Sequence, residues 1–316
     1  MKTVTVAVLA MAIAGGAFAQ TTSAVPISPD EALREDGAAQ APLRYSMPDT
    51  PGTGAYPAMR GTDAAFPGHV IYRPRDLDAM ARPLPVLLFG NGGCSADGAA
   101  ARAFLGEIAS HGYLVIAPGS QISGPGMTPP APGASVGHTT VADVLAGMDQ
   151  ALAANETGLY RHRIDTDRIA VAGWSCGGLQ ALQVAADPRI RAVIGLHTGI
   201  FSDTRNPNTG QPIDKLQLLR LHTPVLYVLG GERDIAYLNG RDDVDRIAHV
   251  PAMMASHLVG HLGTFNQPNG GEEAQVAVDW LNWQLYGDAK AAKRFVGTDC
   301  ALCRDPSWTI LRKHIG

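Results

Sequence analysis

Ser175 lies in the pattern Gly-Trp-Ser-Cys-Gly, between Gly173 and Gly177. Residues 169–172 before this pattern are apolar, and residues 179–184 after it have apolar positions spaced as in a helix. Strand, tight turn and helix in this order are typical of a nucleophile elbow, in which glycines make room for a sharp turn and the serine hydroxyl is exposed. An ordinary turn between a strand and a helix is the alternative. The flanking elements favour Ser175 as a nucleophile.

A serine hydroxyl is a useful nucleophile only when a base takes its proton and a carboxylate orients that base. Asp234 follows a strong apolar strand pattern, and His261 follows the last candidate strand, with glycines near it on both sides. We predict Asp234 as the acid and His261 as the base. Glu232, after the same strand as Asp234, is the alternative acid, and His257, inside the last strand, is the alternative base.

A glycine-rich segment, Gly-Asn-Gly-Gly-Cys-Ser at residues 90–95, follows an uninterrupted apolar run. Glycines let backbone N–H groups approach a substrate oxygen, and loops at the carboxyl ends of parallel strands are where such sheets bind ligands. The segment therefore predicts half of an oxyanion hole. A plain glycine-rich turn is one alternative. A phosphate-binding loop is a weaker one, because neither Gly-x-Gly-x-x-Gly nor a Walker lysine is present.

Two further side chains adjoin these positions. Trp174 precedes the candidate nucleophile, and His197 ends a strand on the same side of the predicted sheet. We predict both as substrate-binding residues, with burial of Trp174 and a plain loop role for His197 as the alternatives. Other histidines, such as His138 and His249, are expected in loops or on the surface, so we expect neither a metal nor another cofactor.

The segments that position these residues alternate between strand and helix patterns. Continuous apolar runs predict strands covered on both faces, which belong to parallel sheets. The clearest such run is at residues 85–90, and residues 69–74 form a short strand pattern stopped by a proline. The other strand patterns lie at residues 113–117, 169–172, 191–196, 224–229 and 252–258, and the helical patterns lie near residues 99–111, 140–155, 179–184 and 273–285. This alternation predicts an α/β fold with a mostly parallel, doubly wound sheet flanked by helices.

Composition divides the chain into three parts. Residues 1–19 hold one lysine, an apolar run too short to span a bilayer and small residues before Gln20, which predicts a cleaved signal peptide. Residues 20–45 lack periodicity and are expected to form a flexible lead-in, and residues 46–316 are expected to form a single domain. The protein is therefore expected to be secreted or periplasmic.

The charge of the chain bears on its partners. The formal net charge is −4 at pH 7, and 46% of the 316 residues are hydrophobic. No run of basic residues is present that would suit nucleic acid or an anionic membrane. We therefore expect no nucleic-acid partner and no membrane association.

Across about residues 60 to 290 the chain resembles the α/β-hydrolases, and it is most similar to the secreted dienelactone-hydrolase-like esterases, a group that also resembles the cutinases and polyester hydrolases. This resemblance implies a single α/β-hydrolase domain with a Ser175, Asp234 and His261 triad, in the chain order expected for that fold. It further implies that the oxyanion hole is formed at Gly93, with Cys94 as its neighbour, and at Cys176, the residue after the nucleophile.

Four cysteines in an exported protein suggest disulfides, and four cysteines allow three pairings. Cys300 and Cys303 are expected to form a local bridge, with a zinc knuckle or a redox pair as alternatives. Cys94 and Cys176 each adjoin an oxyanion donor that the resemblance implies. Because two donors that converge on one oxygen bring their Cα atoms close together, we hypothesise a Cys94–Cys176 bridge.

The expected function is that of a secreted serine carboxylesterase that cleaves small-molecule or polymeric esters through an acyl-enzyme intermediate. Small aliphatic or aryl esters, polyester chains and acylated plant polysaccharides all remain open as substrates. Acyl transfer by the same triad and a non-catalytic binding role on the same fold are the alternatives. Loops at residues 119–138 and 201–212 are expected at the rim of the site.

Overall fold

The computed structural model describes Met1 and residues 28–131, 134–202 and 213–316. The signal peptide predicted at residues 1–19 lies outside the described residues apart from Met1, and so does the part of the predicted lead-in before residue 28. Most of the predicted rim loop at 201–212 also lies outside them.

Strands and helices alternate through the described chain. The strands are β1 Ala58–Gly61, β2 His69–Pro74, β3 Leu84–Gly90, β4 Leu114–Pro118, β5 Ile164–Trp174, β6 Ile190–Leu196, β7 Val225–Leu229, β8 Ala252–His257 and β9 Trp308–Lys313. The α-helices are α1 Pro29–Gln40, α2 Leu43–Ser46, α3 Arg102–Ser110, α4 Val141–Ala154, α5 Cys176–Val184, α6 Tyr237–Arg246, α7 Gly271–Tyr286, α8 Ala289–Ala292 and α9 Ala301–Arg304. Short 3-10 turns lie at Gly92–Cys94, Gly158–Tyr160, Lys215–Arg220 and Pro268–Gly270.

The described strands form one sheet in the order β1-β2-β4-β3-β5-β6-β7-β8-β9. The six strands from β4 to β8 in this order pair in parallel, whereas β1, β2 and β9 join the two edges in antiparallel pairs. This arrangement confirms the predicted mostly parallel α/β sheet. Because parallel strands share a direction, the carboxyl ends of β3, β5, β6, β7 and β8 lie along one edge of the sheet.

Two apolar clusters hold the helices against the two faces of the sheet. Strand β3 is buried along its whole length, and its successive side chains alternate between the clusters. Leu87 and Phe89 pack in the cluster that includes α3 and α7, whereas Val86 and Leu88 pack in the cluster that includes α4 and α5. The continuous apolar run in the sequence therefore reflects a strand covered on both faces.

Helix α4 begins where the sequence places a cap. The Thr140 side chain accepts a hydrogen bond from the Asp143 backbone N–H, and the Asp143 carboxylate accepts one from the Thr140 backbone N–H. This reciprocal pair satisfies two backbone donors that the first turn of a helix leaves open.

The described part of the predicted lead-in differs from expectation, because α1 and α2 lie within it. Ser28 caps α1, a proline follows it at the first helical position, and two acidic residues lie in the first turn. Such residues begin a helix by satisfying its free N–H groups, even where apolar periodicity is weak. The segment packs on the domain, since the buried Arg102 guanidinium donates hydrogen bonds to the Arg44 and Met47 carbonyls.

The carboxyl-terminal part adds elements that the sequence patterns did not predict. Helices α8 and α9 and strand β9 follow α7, and β9 pairs with β8 in antiparallel register. In the described parts of the chain, no helix is long and apolar enough to cross a membrane.

Candidate active site

Ser175 lies at the sharp turn between β5 and α5. Its backbone has φ 55° and ψ −121°, a conformation that residues other than glycine rarely adopt. A Cβ atom at Gly173 would clash with the Gly177 backbone, and a Cβ atom at Gly177 would clash with the backbone of Gly90 and Asn91. Both glycines of the motif are therefore needed for the close approach of α5 to β3 and β5. The predicted elbow geometry is present.

The three predicted triad residues meet at the carboxyl edge of the sheet. Ser175 follows β5, Asp234 lies in the loop after β7, and His261 lies in the loop after β8. The distance from Ser175 Oγ to His261 Nε2 is 2.8 Å, and the distance from His261 Nδ1 to Asp234 Oδ1 is 2.6 Å. In this arrangement Nδ1–H donates to the carboxylate, which leaves Nε2 to accept the serine proton.

The Asp234 carboxylate is fully buried and accepts four hydrogen bonds. Oδ1 accepts from His261 Nδ1 and the Ala236 N–H, and Oδ2 accepts from His197 Nδ1 and the Gly230 N–H. Burial raises the pKa of Asp234, but the hydrogen bonds from His197 and His261 outweigh it and hold that pKa well below its ordinary value. Asp234 is therefore ionised at neutral pH.

The glycine-rich segment after β3 lies beside the serine. Gly93 and Cys94 both have positive φ, at 64° and 46°. Cys94 is joined to Cys176 by a disulfide whose Cα atoms are 5.2 Å apart, as hypothesised. At the start of this segment, the Asn91 side chain donates to the Ser95 and Pro118 carbonyls and so ties the segment to the end of β4. The structure thus brings the three residues predicted for the oxyanion hole next to Ser175.

The second disulfide joins Cys300 to Cys303, with Cα atoms 4.9 Å apart. It closes a local turn around α9, as the spacing predicts. Within the ranges that the structure describes, no group of three or more His, Cys, Asp or Glu residues could hold a metal ion.

Trp174 is buried beneath the candidate site. Its indole Nε1–H donates to the His261 carbonyl over 3.1 Å, and its ring lies 4.7 Å from that of Phe265. A Cβ atom at Gly92 would clash with the Trp174 ring, so the glycine-rich segment after β3 packs directly on the indole. Trp174 also lines the cleft. Its placement supports the two loops that carry His261 and Gly93.

His197, which is predicted to bind substrate, lines the cavity beside Ser175 together with Thr198. Its side chain is 0% exposed, and its two ring nitrogens lie beside Asp234 and Glu273. The sequence places His197 correctly at a strand end on the catalytic edge, but the φ of 46° at this residue turns its ring under the triad.

The alternative acid and base lie outside the triad. Glu232 is exposed, whereas His257 is buried, bonded through Nε2 to Glu273 Oε1 at 2.9 Å and stacked on Trp308. Glu273 therefore lies at the centre of a buried polar cluster that sequence reasoning missed. Its position in the helical pattern of α7 gives no sign that its side chain is buried against histidines.

Two cavities of about 350 and 360 Å³ adjoin Ser175. Both are lined by Ser175, His261, Leu33 and Ile235, so they are two halves of one cleft that meet over the serine. The first half also includes the apolar side chains of Leu179, Phe201 and Ala236. The second half also includes the polar side chains of Arg44, Ser95, Asp97 and Ser123. Leu33 comes from α1, which covers the cleft.

Comparison of the sequence with known protein families identifies the family of the chain. A model of the dienelactone hydrolase family matches residues 96–266, which is more than half of the chain. The match includes Ser175, Asp234 and His261, whereas Gly93 and Cys94 lie just before it. Its family description supports hydrolase activity on an α/β-hydrolase fold. No curated protein matches the chain at a significant level.

Proposed function

Because the chain belongs to the dienelactone hydrolase family, we propose that it is a serine hydrolase that cleaves carboxylic esters through an acyl-enzyme intermediate. The observation that carries this proposal is the aligned set of Ser175, His261 and Asp234. Its two hydrogen bonds, of 2.8 and 2.6 Å, run from the hydroxyl through both ring nitrogens to a buried carboxylate. That order is the one that acyl transfer requires.

In the proposed reaction, Ser175 Oγ attacks the ester carbonyl carbon while His261 Nε2 takes the hydroxyl proton. Asp234 stabilises the imidazolium that forms. The tetrahedral intermediate then collapses, the C–O bond of the ester breaks, and His261 gives its proton to the departing alcohol. Water repeats these steps on the acyl-enzyme and releases the carboxylic acid.

The oxyanion of each tetrahedral intermediate is proposed to bind between the backbone N–H groups of Gly93 and Cys176, with Cys94 as a neighbour. The Cys94–Cys176 disulfide supports this assignment, because it ties the loop that carries Gly93 to the first residue of α5. The amino end of α5 also directs its helix dipole toward the reacting oxygen. Loss of one such donor slows related reactions by about 100- to 1,000-fold.

We infer that the substrate is a small ester or the accessible end of a polymeric one. Each half of the cleft has about 350 Å³, which suits a short chain or a single ring on either side of the scissile bond. Apolar and polar side chains line both halves, and Arg44 adds a positive charge to the second half. Trp174 is proposed to contact the substrate from below.

Export is part of the proposal. Residues 1–19 have the composition of a signal peptide, and all four cysteines are paired in disulfides, which persist in oxidising compartments. We therefore place the enzyme in the periplasm or outside the cell. With a net charge of −4, nucleic acid is not proposed as a partner.

The test is hydrolysis of p-nitrophenyl esters, from acetate to dodecanoate, by the chain that begins at residue 20. We expect the wild type to cleave short-chain esters and Ser175→Ala to lose about 10⁴-fold or more of kcat. Ser95→Ala is the matched control, because Ser95 lines the same cleft and its carbonyl, rather than its hydroxyl, is held by Asn91. Wild-type protein that is folded and inactive on the whole series would argue for a binding role instead.

A further inference from the structure

His197 is a histidine enclosed between two carboxylates. Its Nδ1 lies 2.9 Å from Asp234 Oδ2, and its Nε2 lies 3.0 Å from Glu273 Oε1. The Nε2–H does not point at the Glu273 oxygen, so that contact is an ion pair rather than an aligned hydrogen bond. All three side chains are 0% exposed.

The two carboxylates beside His197 favour a positive charge on its ring. A neutral imidazole carries one N–H, so one of its nitrogens would turn a lone pair toward a carboxylate oxygen. An imidazolium offers an N–H on each side. Burial lowers the pKa of His197, but the carboxylates of Glu273 and Asp234 outweigh burial and raise its pKa to about 10.

Hydrogen-bond donors hold the Glu273 carboxylate in place. Thr264 N–H donates to Oε2 over 2.8 Å, and His257 Nε2 lies 2.9 Å from Oε1. Burial raises the pKa of Glu273, but His197 and His257 outweigh it and hold that pKa well below its ordinary value. A Cβ atom at Gly263 would clash with both Glu273 and His197, so the loop that carries His261 passes directly over this pair.

We propose that His197 is a positioning residue of the active site: as an imidazolium anchored by Glu273, it keeps Asp234 ionised and aimed at His261. This inference rests on the proposed function. Of the four donors to Asp234, His197 is the one that carries a charge while His261 is neutral; the Ala236 and Gly230 donors are backbone amides. The catalytic unit therefore extends from Ser175 to Glu273.

Loss of the His197 charge has two effects on the pH profile, and both have the same sign. The His197 and His261 ring centres are 6.2 Å apart, so removal of one positive charge makes the other imidazole easier to protonate. Asp234 also becomes easier to protonate, because a buried carboxylate loses its cation. The titratable groups that face His197 are Asp234, Glu273 and His261, with His257 behind Glu273. Each change moves the acid limb of kcat/KM to higher pH.

The first part of the test compares the pH profile of kcat/KM for p-nitrophenyl acetate in the wild type, His197→Gln and His69→Gln. His69 is a matched control, because it is also buried but its ring nitrogens contact the Pro67 and Asp143 backbone carbonyls and no carboxylate. We expect the acid limb of His197→Gln to lie about one pH unit or more higher on the pH axis than that of the wild type. At pH values below the limb, kcat/KM is then about tenfold lower. The limb of His69→Gln is expected to match that of the wild type.

The second part measures charge without activity, by nuclear magnetic resonance of protein labelled with ¹⁵N at histidine. We expect His197 to show two protonated ring nitrogens at pH 7 and to titrate near pH 10. In Glu273→Gln that titration should move toward the ordinary value, because one carboxylate is gone. This measurement uses the wild type and so holds even where His197→Gln does not fold.

The outcomes separate the inference from the proposed function. A neutral His197 at pH 7, or a folded and active His197→Gln whose acid limb coincides with that of the wild type, overturns the positioning role. A wild type that neither hydrolyses esters nor reacts with a phosphonate probe contradicts the proposed function itself. An acid limb that moves to higher pH in His197→Gln but not in His69→Gln, together with a charged His197, supports the positioning role.

Discussion

Removal of the Cys94–Cys176 bridge is expected to destabilise the protein far more than removal of the Cys300–Cys303 bridge. The first disulfide links residues separated by 82 positions, and the second links residues separated by 3. In the loop-entropy treatment of the unfolded chain, these separations correspond to about 4.5 and about 1.6 kcal/mol of unfolding free energy at 25 °C. The difference of about 3 kcal/mol comes from chain length alone.

The assay is urea unfolding of the wild type, Cys94→Ala with Cys176→Ala, and Cys300→Ala with Cys303→Ala. Alanine is chosen because Cys94, Cys176 and Cys300 are at most 2% exposed, where a serine hydroxyl would need a new partner. With an m-value of about 3 kcal/mol per molar urea, the midpoint should fall by about 1.5 M for the first pair and by about 0.5 M for the second.

Activity provides a second measure of the same change. The Cys94–Cys176 bridge joins the loop of Gly93 to the first residue of α5, so its loss should let the two proposed oxyanion donors move apart. We expect kcat to fall by about tenfold or more with little change in KM, whereas the Cys300–Cys303 pair should leave kcat unchanged. Equal midpoint shifts for the two pairs would refute the loop argument, and free thiols at Cys94 and Cys176 in mass mapping would refute the bridge.

Three further predictions concern the triad, the cleft and the buried ion pair. Asp234→Asn should lower kcat by about 10⁴-fold while circular dichroism stays native, because the amide favours the wrong tautomer of the base; an active variant would exclude Asp234 from the triad. Leu33→Ala should extend activity toward longer p-nitrophenyl esters, whereas Arg34→Ala, an exposed change in the same helix, should not; identical chain-length profiles would show that α1 does not limit the cleft. Because the pKa of His197 is raised from 6.5 to about 10, its contribution to stability is complete at low pH and is lost as pH rises. The unfolding free energy should therefore fall more steeply between about pH 6.5 and 10 in the wild type than in His197→Gln, and equal slopes would contradict the ion pair.

The fold could be predicted because its strongest signals are local. Continuous apolar runs mark the central strands, and their observed bounds differ from the predicted ones by only a few residues. Strand β5 is the exception, since it begins at Ile164 with polar residues that the apolar pattern does not include. Helix α1 was missed for a related reason: its first residues start a helix by capping, while few of its side chains face the core.

The candidate site could be predicted as far as chain order and strand ends determine it. Ser175, Asp234 and His261 each follow a predicted strand, so a parallel sheet brings them to one edge. His197 follows a strand as well, and the sequence cannot tell whether its side chain turns into the cleft or beneath it. Glu273 lies 76 positions away in a helix that packs across the sheet, and its contact with His197 depends on tertiary packing alone.

The most direct test of the central claim is the site of reaction with a fluorophosphonate probe. The mature wild-type chain should take up one phosphonate per molecule, and peptide mapping should place it on Ser175 at the turn between β5 and α5. Ser175→Ala should take up none, while Ser95→Ala should be labelled like the wild type. Absence of labelling in folded wild-type protein, or a label on another residue, would contradict Ser175 as the nucleophile.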